Sequence, residues 1–319
     1  MTPATSVAED FSPKKIYSAV SSAVVLVAGF ETGQKKISKG AGSIISRDGF
    51  VLTNAHVIIN AINAQPFSNL RIFLRPERIS GNIKSDTSLR YKAKLVRFSK
   101  KLDLALLKVT SIPTDNLLTV LEFSDSDLVA IGDPVIAIGH PEQGGLWTLT
   151  TGTISTYINN YGKISGKNVF QTETSLNRGN SGGPLIDSHG HVIGINSMIS
   201  RKGADGLAIT GVNFSIKSRV AVKWLDSIGL KFSFYRTSSI KKSSQPLAMN
   251  AGIVPVLKEN IPTPKPEVKN ISPEKPKKVA PGKPEILTKI RPYTDEDLLQ
   301  QVEDEMEDMM DEMKTKTFN

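Results

Sequence analysis

Gly179-Asn180-Ser181-Gly182-Gly183-Pro184 is a serine held between glycines, with a proline closing the turn three residues later. Glycines on both sides let the backbone come close to a substrate carbonyl, and successive N–H groups can point one way to stabilise an oxyanion. The string also satisfies G-x-S-x-G, the nucleophile elbow of α/β-hydrolases. That fold needs a strand–turn–helix at the serine, with an acid and then a histidine after it. Here Pro184 follows almost at once, and Leu185-Ile186 lead into a hairpin turn at Ser188-His189-Gly190-His191. His189 and His191 read as turn residues rather than a metal pair, and no metal or cofactor is expected.

The partners of the serine lie upstream. Thr53-Asn54-Ala55-His56 supplies a histidine, and Leu102-Asp103-Leu104-Ala105-Leu106-Leu107 an aspartate set among apolar residues. A serine hydroxyl is a weak nucleophile at its free pKa and needs a base, which itself needs a group to orient it. A buried carboxylate needs a partner, and a histidine Nδ1–H would provide one. Singly, His56 reads as a core histidine and Asp103 as a turn residue. Together, the three segments in the order His, Asp, Ser point to a hydrolase.

Short β-rich runs fill the chain from about Lys14 to Phe232: Val24–Val27, Gly42–Ile45, Val51–Thr53, Leu70–Leu74, Ala105–Val109, Pro134–Ile138, Gly152–Ser155, His191–Ile195 and Val212–Ile216. Many short strands with regular turn signals predict an all-β barrel or sandwich. Ser218 to Leu230 has helical spacing with Gly229 as its stop. The longest uncharged run, Ile16 to Phe30 after Lys14-Lys15, reads as a short helical turn entering a β-branched strand rather than as a signal sequence. No stretch is apolar long enough to span a bilayer.

The chain has 319 residues, no cysteine and a net charge of +9. Disulfides and thiolate metal sites are excluded. Ten acidic residues and no basic ones lie between Asp295 and Glu312, so the rest is strongly basic. Without an aromatic-interleaved basic patch, nucleic acid is not the expected partner. The reading divides the chain into an arm at 1–13, a domain at 14–233, a Pro/Lys-rich linker at 234–293 and an acidic amphipathic helix with tail at 294–319. Ten prolines between Pro246 and Pro292 cannot build a core and predict a disordered, semi-extended linker reaching on the order of 100 Å. Leu298, Leu299, Val302, Met306, Met309, Met310 and Met313 then repeat at helical spacing behind Thr294. Alone such a helix is marginal in water, so it is expected to dock on its own chain or on a partner.

The motifs together resemble a chymotrypsin-fold serine protease of the HtrA/Deg type, over about residues 16–232. Gly40–Ile45 with Asp48–Val57 resembles the family's histidine block, and Leu102–Leu107 its aspartate block. Gly132–Pro141 with Thr148–Ser155, then Gln171–Glu173 with Asn177–Leu185, resemble the stretches around the serine. The resemblance implies two packed antiparallel six-stranded β-barrels with a C-terminal helix, and peptide hydrolysis by Ser181, His56 and Asp103. It implies an oxyanion hole at Gly179, Asn180 and Ser181, and a substrate pocket at Ser175, Leu176, Asn177, Val212, Asn213 and Phe214. It also implies protein or peptide substrates, quality control of unfolded proteins as a role, a periplasmic or extracytoplasmic setting, and a homotrimer with Phe11 and Tyr17 as contact candidates. Three departures stand out. No PDZ-like run of strands follows Phe232. Ser175, six before the nucleophile, carries no charge to select Arg or Lys. Asn180 replaces the aspartate that pairs a new N-terminus in secreted trypsin relatives, so that maturation switch is absent. The rival reading is a protease-fold scaffold or binding protein acting through its linker and acidic helix.

Overall fold

Val24–Phe30 is seven residues of β-branched and apolar chain, and all seven are buried. Burial on both faces makes it the central stave of a barrel. As β1 it pairs antiparallel with β2 (Ile37–Ile44) on one side and with β4 (Asn69–Phe73) on the other. The computed structural model describes residues 11–33, 37–110, 112, 118–142, 144–197 and 212–235. The arm at 1–10, the linker and the acidic segment expected at 294–319 lie outside the described residues.

Two closed antiparallel six-stranded barrels form the domain. The first adds β3 (Phe50–Thr53), β5 (Arg90–Ser99) and β6 (Leu104–Val109), in the order β1-β2-β3-β6-β5-β4. The second contains β7 (Pro134–Gly139), β8 (Thr148–Ile158), β9 (Val169–Thr172), β10 (Pro184–Ile186), β11 (Val192–Ser197) and β12 (Asn213–Lys217), in the order β10-β11-β12-β9-β8-β7. Closure removes every free strand edge. The chymotrypsin-like architecture implied by the motifs is therefore present, with the terminal helix as α4 (Ser218–Ser227). Ile16–Phe30 is not a single apolar segment. It divides into the end of helix α1 (Pro13–Val20), a short 3₁₀ turn and β1. No helix among the described residues is long and apolar enough to cross a membrane.

The barrels meet at Trp147. Its indole Nε1–H donates to the Val24 carbonyl of β1 at 2.7 Å, and its amide donates to His140 Nδ1 at 3.1 Å. Tyr17 of α1 donates its hydroxyl to the Trp147 carbonyl at 2.8 Å. Tyr17, expected at a subunit contact, is thus tied into its own chain. After α4 the packing carries through Tyr235, beyond the boundary expected at 233. Phe234 bridges to Phe123, the Tyr235 amide donates to the Phe123 carbonyl at 2.7 Å, and the Tyr235 ring stacks on His191.

Candidate active site

His56 stands on the one-turn helix α2 (Ala55–Ile58), immediately after β3. Asp103 occupies the turn between β5 and β6 with φ 60°, a left-handed backbone that aspartate tolerates better than most residues. The turn is held by the Asn54 side chain, which donates to the Asp103 carbonyl at 2.8 Å. The two side chains meet: His56 Nδ1 lies 3.0 Å from Asp103 Oδ1 and 2.9 Å from Oδ2. The His56 amide donates to Oδ1 as well, at 3.1 Å. An ionised carboxylate only accepts, so Nδ1 carries the hydrogen and Nε2 is left with a lone pair facing the cleft.

Burial pushes the Asp103 carboxyl up. The hydrogen bond and charge of His56, the Ser197 hydroxyl and the His56 amide more than offset this, leaving its pKa below the ordinary value. Ser197 was not anticipated from the sequence. It closes β11 and donates to Asp103 Oδ2 at 2.7 Å, so the second barrel clamps the first barrel's carboxylate. A single serine at a strand end carries no motif that could have revealed it.

The serine segment docks against the histidine segment through its backbone. The Ala41 amide of β2 donates to the Ser181 carbonyl at 2.7 Å. Gly182, with φ 84°, sits so close to Thr53 and Asn54 that a Cβ there would strike the Thr53 hydroxyl and the Ala41 carbonyl oxygen. Glycine is thus needed both for the left-handed turn and for the approach of the two barrels. Gly179 has φ 97°, and a Cβ on it would land on the His140 carbonyl. The His140 amide in turn donates to the Gly179 carbonyl at 3.3 Å.

The remaining expected site residues are placed variously. The Asn180 amide, expected among the oxyanion donors, donates instead to the Asn177 carbonyl at 3.0 Å, and the residue is buried. Its side-chain Nδ2 reaches the Ser175 carbonyl at 3.5 Å. Ser175 and Asn177 are exposed. Leu176 is instead a core residue of the second barrel, among Val135, Ile154 and Phe170. Asn213 is buried on β12 opposite Thr172, and Val212 is half-buried just ahead of it. Phe214 is half-buried, with its ring tilted against Tyr161 at 4.8 Å. His189 and His191 lie in the turn before β11, where both amides donate to the Asp187 carboxylate.

The trypsin-like peptidase domain family matches residues 40–195, the span that holds His56, Asp103 and Ser181. This chain carries a trypsin-like peptidase domain. Its relatives include a probable periplasmic serine endoprotease, DegP-like, of Marinomonas sp. (strain MWYL1), 37% identical over 199 residues, 62% of this chain and 37% of that protein. The serine endoprotease DegS of Haemophilus influenzae is 36% identical over 184 residues, 57% of this chain and 47% of that protein. The chain therefore spans less than half the length of these curated relatives. Among solved structures, an HtrA-type protease, AlgW S227A with tripeptide, superposes with a TM-score of 0.55 at 30% identity, covering 68% of this chain and 63% of that one. The peptidase domain and its HtrA-type likeness agree with the motifs that first suggested them.

Proposed function

We propose that this chain is a serine endopeptidase acting through Ser181, His56 and Asp103. The observation that supports this most is the bidentate approach of His56 Nδ1 to an aspartate whose second anchor comes from the opposite barrel. That arrangement fixes the tautomer a general base needs. Ser181 Oγ bonds to the scissile carbonyl carbon as its proton passes to His56 Nε2. The C–N bond breaks as His56 returns that proton to the leaving nitrogen. Water then repeats the sequence in reverse order to free the acyl group. Asp103 stays ionised throughout and stabilises the imidazolium. The amides of Gly179 and Ser181 take the oxyanion role, since the Asn180 amide is committed to Asn177.

The substrates we assign are polypeptides that can present an extended stretch to the cleft. Unfolded proteins do this best, which fits a quality-control role. With the uncharged Ser175 six positions before the nucleophile, the acyl-side pocket prefers small or medium apolar residues over Arg and Lys. Labelling the full chain with a fluorophosphonate and mapping the adduct by mass spectrometry tests the assignment. An adduct on Ser181 that disappears in Ser181→Ala is expected; no adduct on Ser181 overturns it.

A further inference from the structure

Beside His56, on the side away from the second barrel, lies a cavity of about 190 Å³. Ile37, Ser38, Ile59, Ile62 and Phe67 line it together with the His56 ring. All of these belong to the first barrel, whereas the acyl-side candidates Ser175, Asn177 and Phe214 belong to the second. The cavity is not part of the triad or of the oxyanion loop. We propose that it is the subsite for the side chain on the leaving-amine side of the scissile bond, selecting an apolar P1′ residue. This rests on the peptidase reading above and extends it.

The chemistry fixes which substrate residue comes here. His56 must hand its proton to the departing nitrogen, and that nitrogen is the backbone N of P1′. The P1′ side chain is therefore the substrate group carried next to the imidazole on the leaving side. At about 30 Å³ per liquid water, the cavity has the room of roughly six waters, enough for a branched aliphatic or aromatic side chain. Its walls are mainly isoleucine and phenylalanine, with no ionised group among them, so a charged side chain would lose hydration without gaining a partner.

The walls are built rather than incidental. Ile59 bridges to Pro66 across the loop, and the Asn60 amide donates to the Gln65 carbonyl at 2.8 Å. The Asn60 side chain accepts from the Ile62 amide at 2.9 Å, which sets Ile62 at the rim. Lys100 ties the loop to the end of β5 by donating to the Ala64 carbonyl at 2.7 Å. On the opposite wall, Ser38 donates to the Val57 carbonyl at 2.9 Å and holds β2 against α2. Phe67 packs so tightly over Gly29 that a Cβ there would fall 2.5 Å from its ring. Ile62 remains 75% exposed. An isoleucine held at a rim by a side-chain bond, with most of its surface in water, gains by covering a substrate side chain.

Internally quenched peptides sharing one acyl side, with Val at P1, and differing only at P1′ test this on the full chain. Leu or Phe at P1′ should give a kcat/KM about tenfold above Asp or Gly, the scale of partial burial of one apolar side chain. Ile62→Asp, an exposed position where folding is safe, should lower the Leu-to-Lys ratio by about tenfold. Phe67→Ala tests the inner wall but also loosens Gly29, so its folding is checked by thermal melting. A flat P1′ profile in a protein that reacts with fluorophosphonate at Ser181 overturns the subsite and leaves the peptidase standing. So does an unchanged ratio in Ile62→Asp. A protein that fails to react with fluorophosphonate overturns the peptidase reading itself.

Discussion

Ser197 Oγ reaches Asp103 Oδ2 at 2.7 Å across the seam between the two barrels. Ser197 ends β11 of the second barrel, while Asp103 turns between β5 and β6 of the first. The carboxylate that orients His56 is therefore positioned only when both barrels are packed together. Ser197→Ala should lower turnover about tenfold, the scale of one hydrogen bond to a charged group. It should also raise the Asp103 pKa. Because that pKa is depressed in the folded protein, Asp103 contributes stability above its ordinary pKa, and the contribution is lost as pH falls through the lowered value. The variant should thus lose more melting temperature at pH 7 than near pH 3. An equal loss at both values would mean that Ser197 supports packing alone.

Asp103→Asn keeps the shape of the turn but can present an N–H where Nδ1–H needs an acceptor. Turnover on casein should fall about 10⁴-fold, as in chymotrypsin-type triads. The fold should survive, since the Asn54 bond is to the backbone carbonyl at 103. Far-ultraviolet circular dichroism separates this outcome from unfolding, and a loss below tenfold would argue against the triad.

His140 is fully buried, and burial pushes its pKa down to about 3. The Val25 carbonyl favours the protonated ring, and the charge of Lys39 opposes it. Nδ1 accepts from the Trp147 amide, while Nε2 makes no hydrogen bond of ordinary geometry among the described residues. The unfolded chain takes a proton at this histidine near pH 6.5, and the folded chain not until about 3. Unfolding therefore gains a proton between those values, and stability drops as pH falls below 6.5. From pH 6.5 to 5 the cost is about 2 kcal/mol, at about 1.4 kcal/mol per unit. His140→Gln keeps an acceptor for Trp147 and should flatten this slope in urea titrations. An identical slope in the variant would assign the pH dependence elsewhere.

Much of this site was legible because its parts are local. His56, Asp103 and Ser181 each sit in a string whose neighbours declare the role, and their order excluded the α/β-hydrolase alternative. What escaped is set by tertiary register. Ser197 is an unremarkable strand-end serine until β11 brings it to Asp103. Strand β5 was missed because Arg90, Lys92 and Lys94 make it read as a charged loop. Its alternation with Tyr91, Ala93 and Leu95, half-buried and packed on the core, is the period-two signal that could have revealed it. Leu176 looked like a pocket wall from its place near the serine, yet the second barrel absorbs it as core.

The oxyanion loop depends on Gly179 in two ways, through its φ of 97° and through the His140 carbonyl lying where a Cβ would go. Gly179→Ala should cost about 10²–10³ in kcat, the scale of losing one oxyanion donor. KM should change much less, because the ground-state carbonyl is not the group the loop stabilises. Equal kcat would mean that the Gly179 amide has no oxyanion role.

The end of the domain can be placed by two truncations. Tyr235 stacks on His191 at 4.0 Å between ring centroids, its amide bonds to Phe123, and Phe232 meets Phe123 edge-on at 5.9 Å. A chain cut after Phe232 loses the Phe234 bridge and the Tyr235 stack. A chain cut after Tyr235 keeps both. An aromatic pair contributes about 0.5–1.5 kcal/mol beyond its buried area, and for a domain of this size 1 kcal/mol shifts the melting temperature by roughly 2–4 °C. The shorter chain should therefore melt several degrees below the longer one in the same buffer. Tyr235→Ala in the longer chain should recover part of that difference. Coincident melting curves for the two truncations would show that the packing beyond Phe232 adds nothing to the stability of the domain.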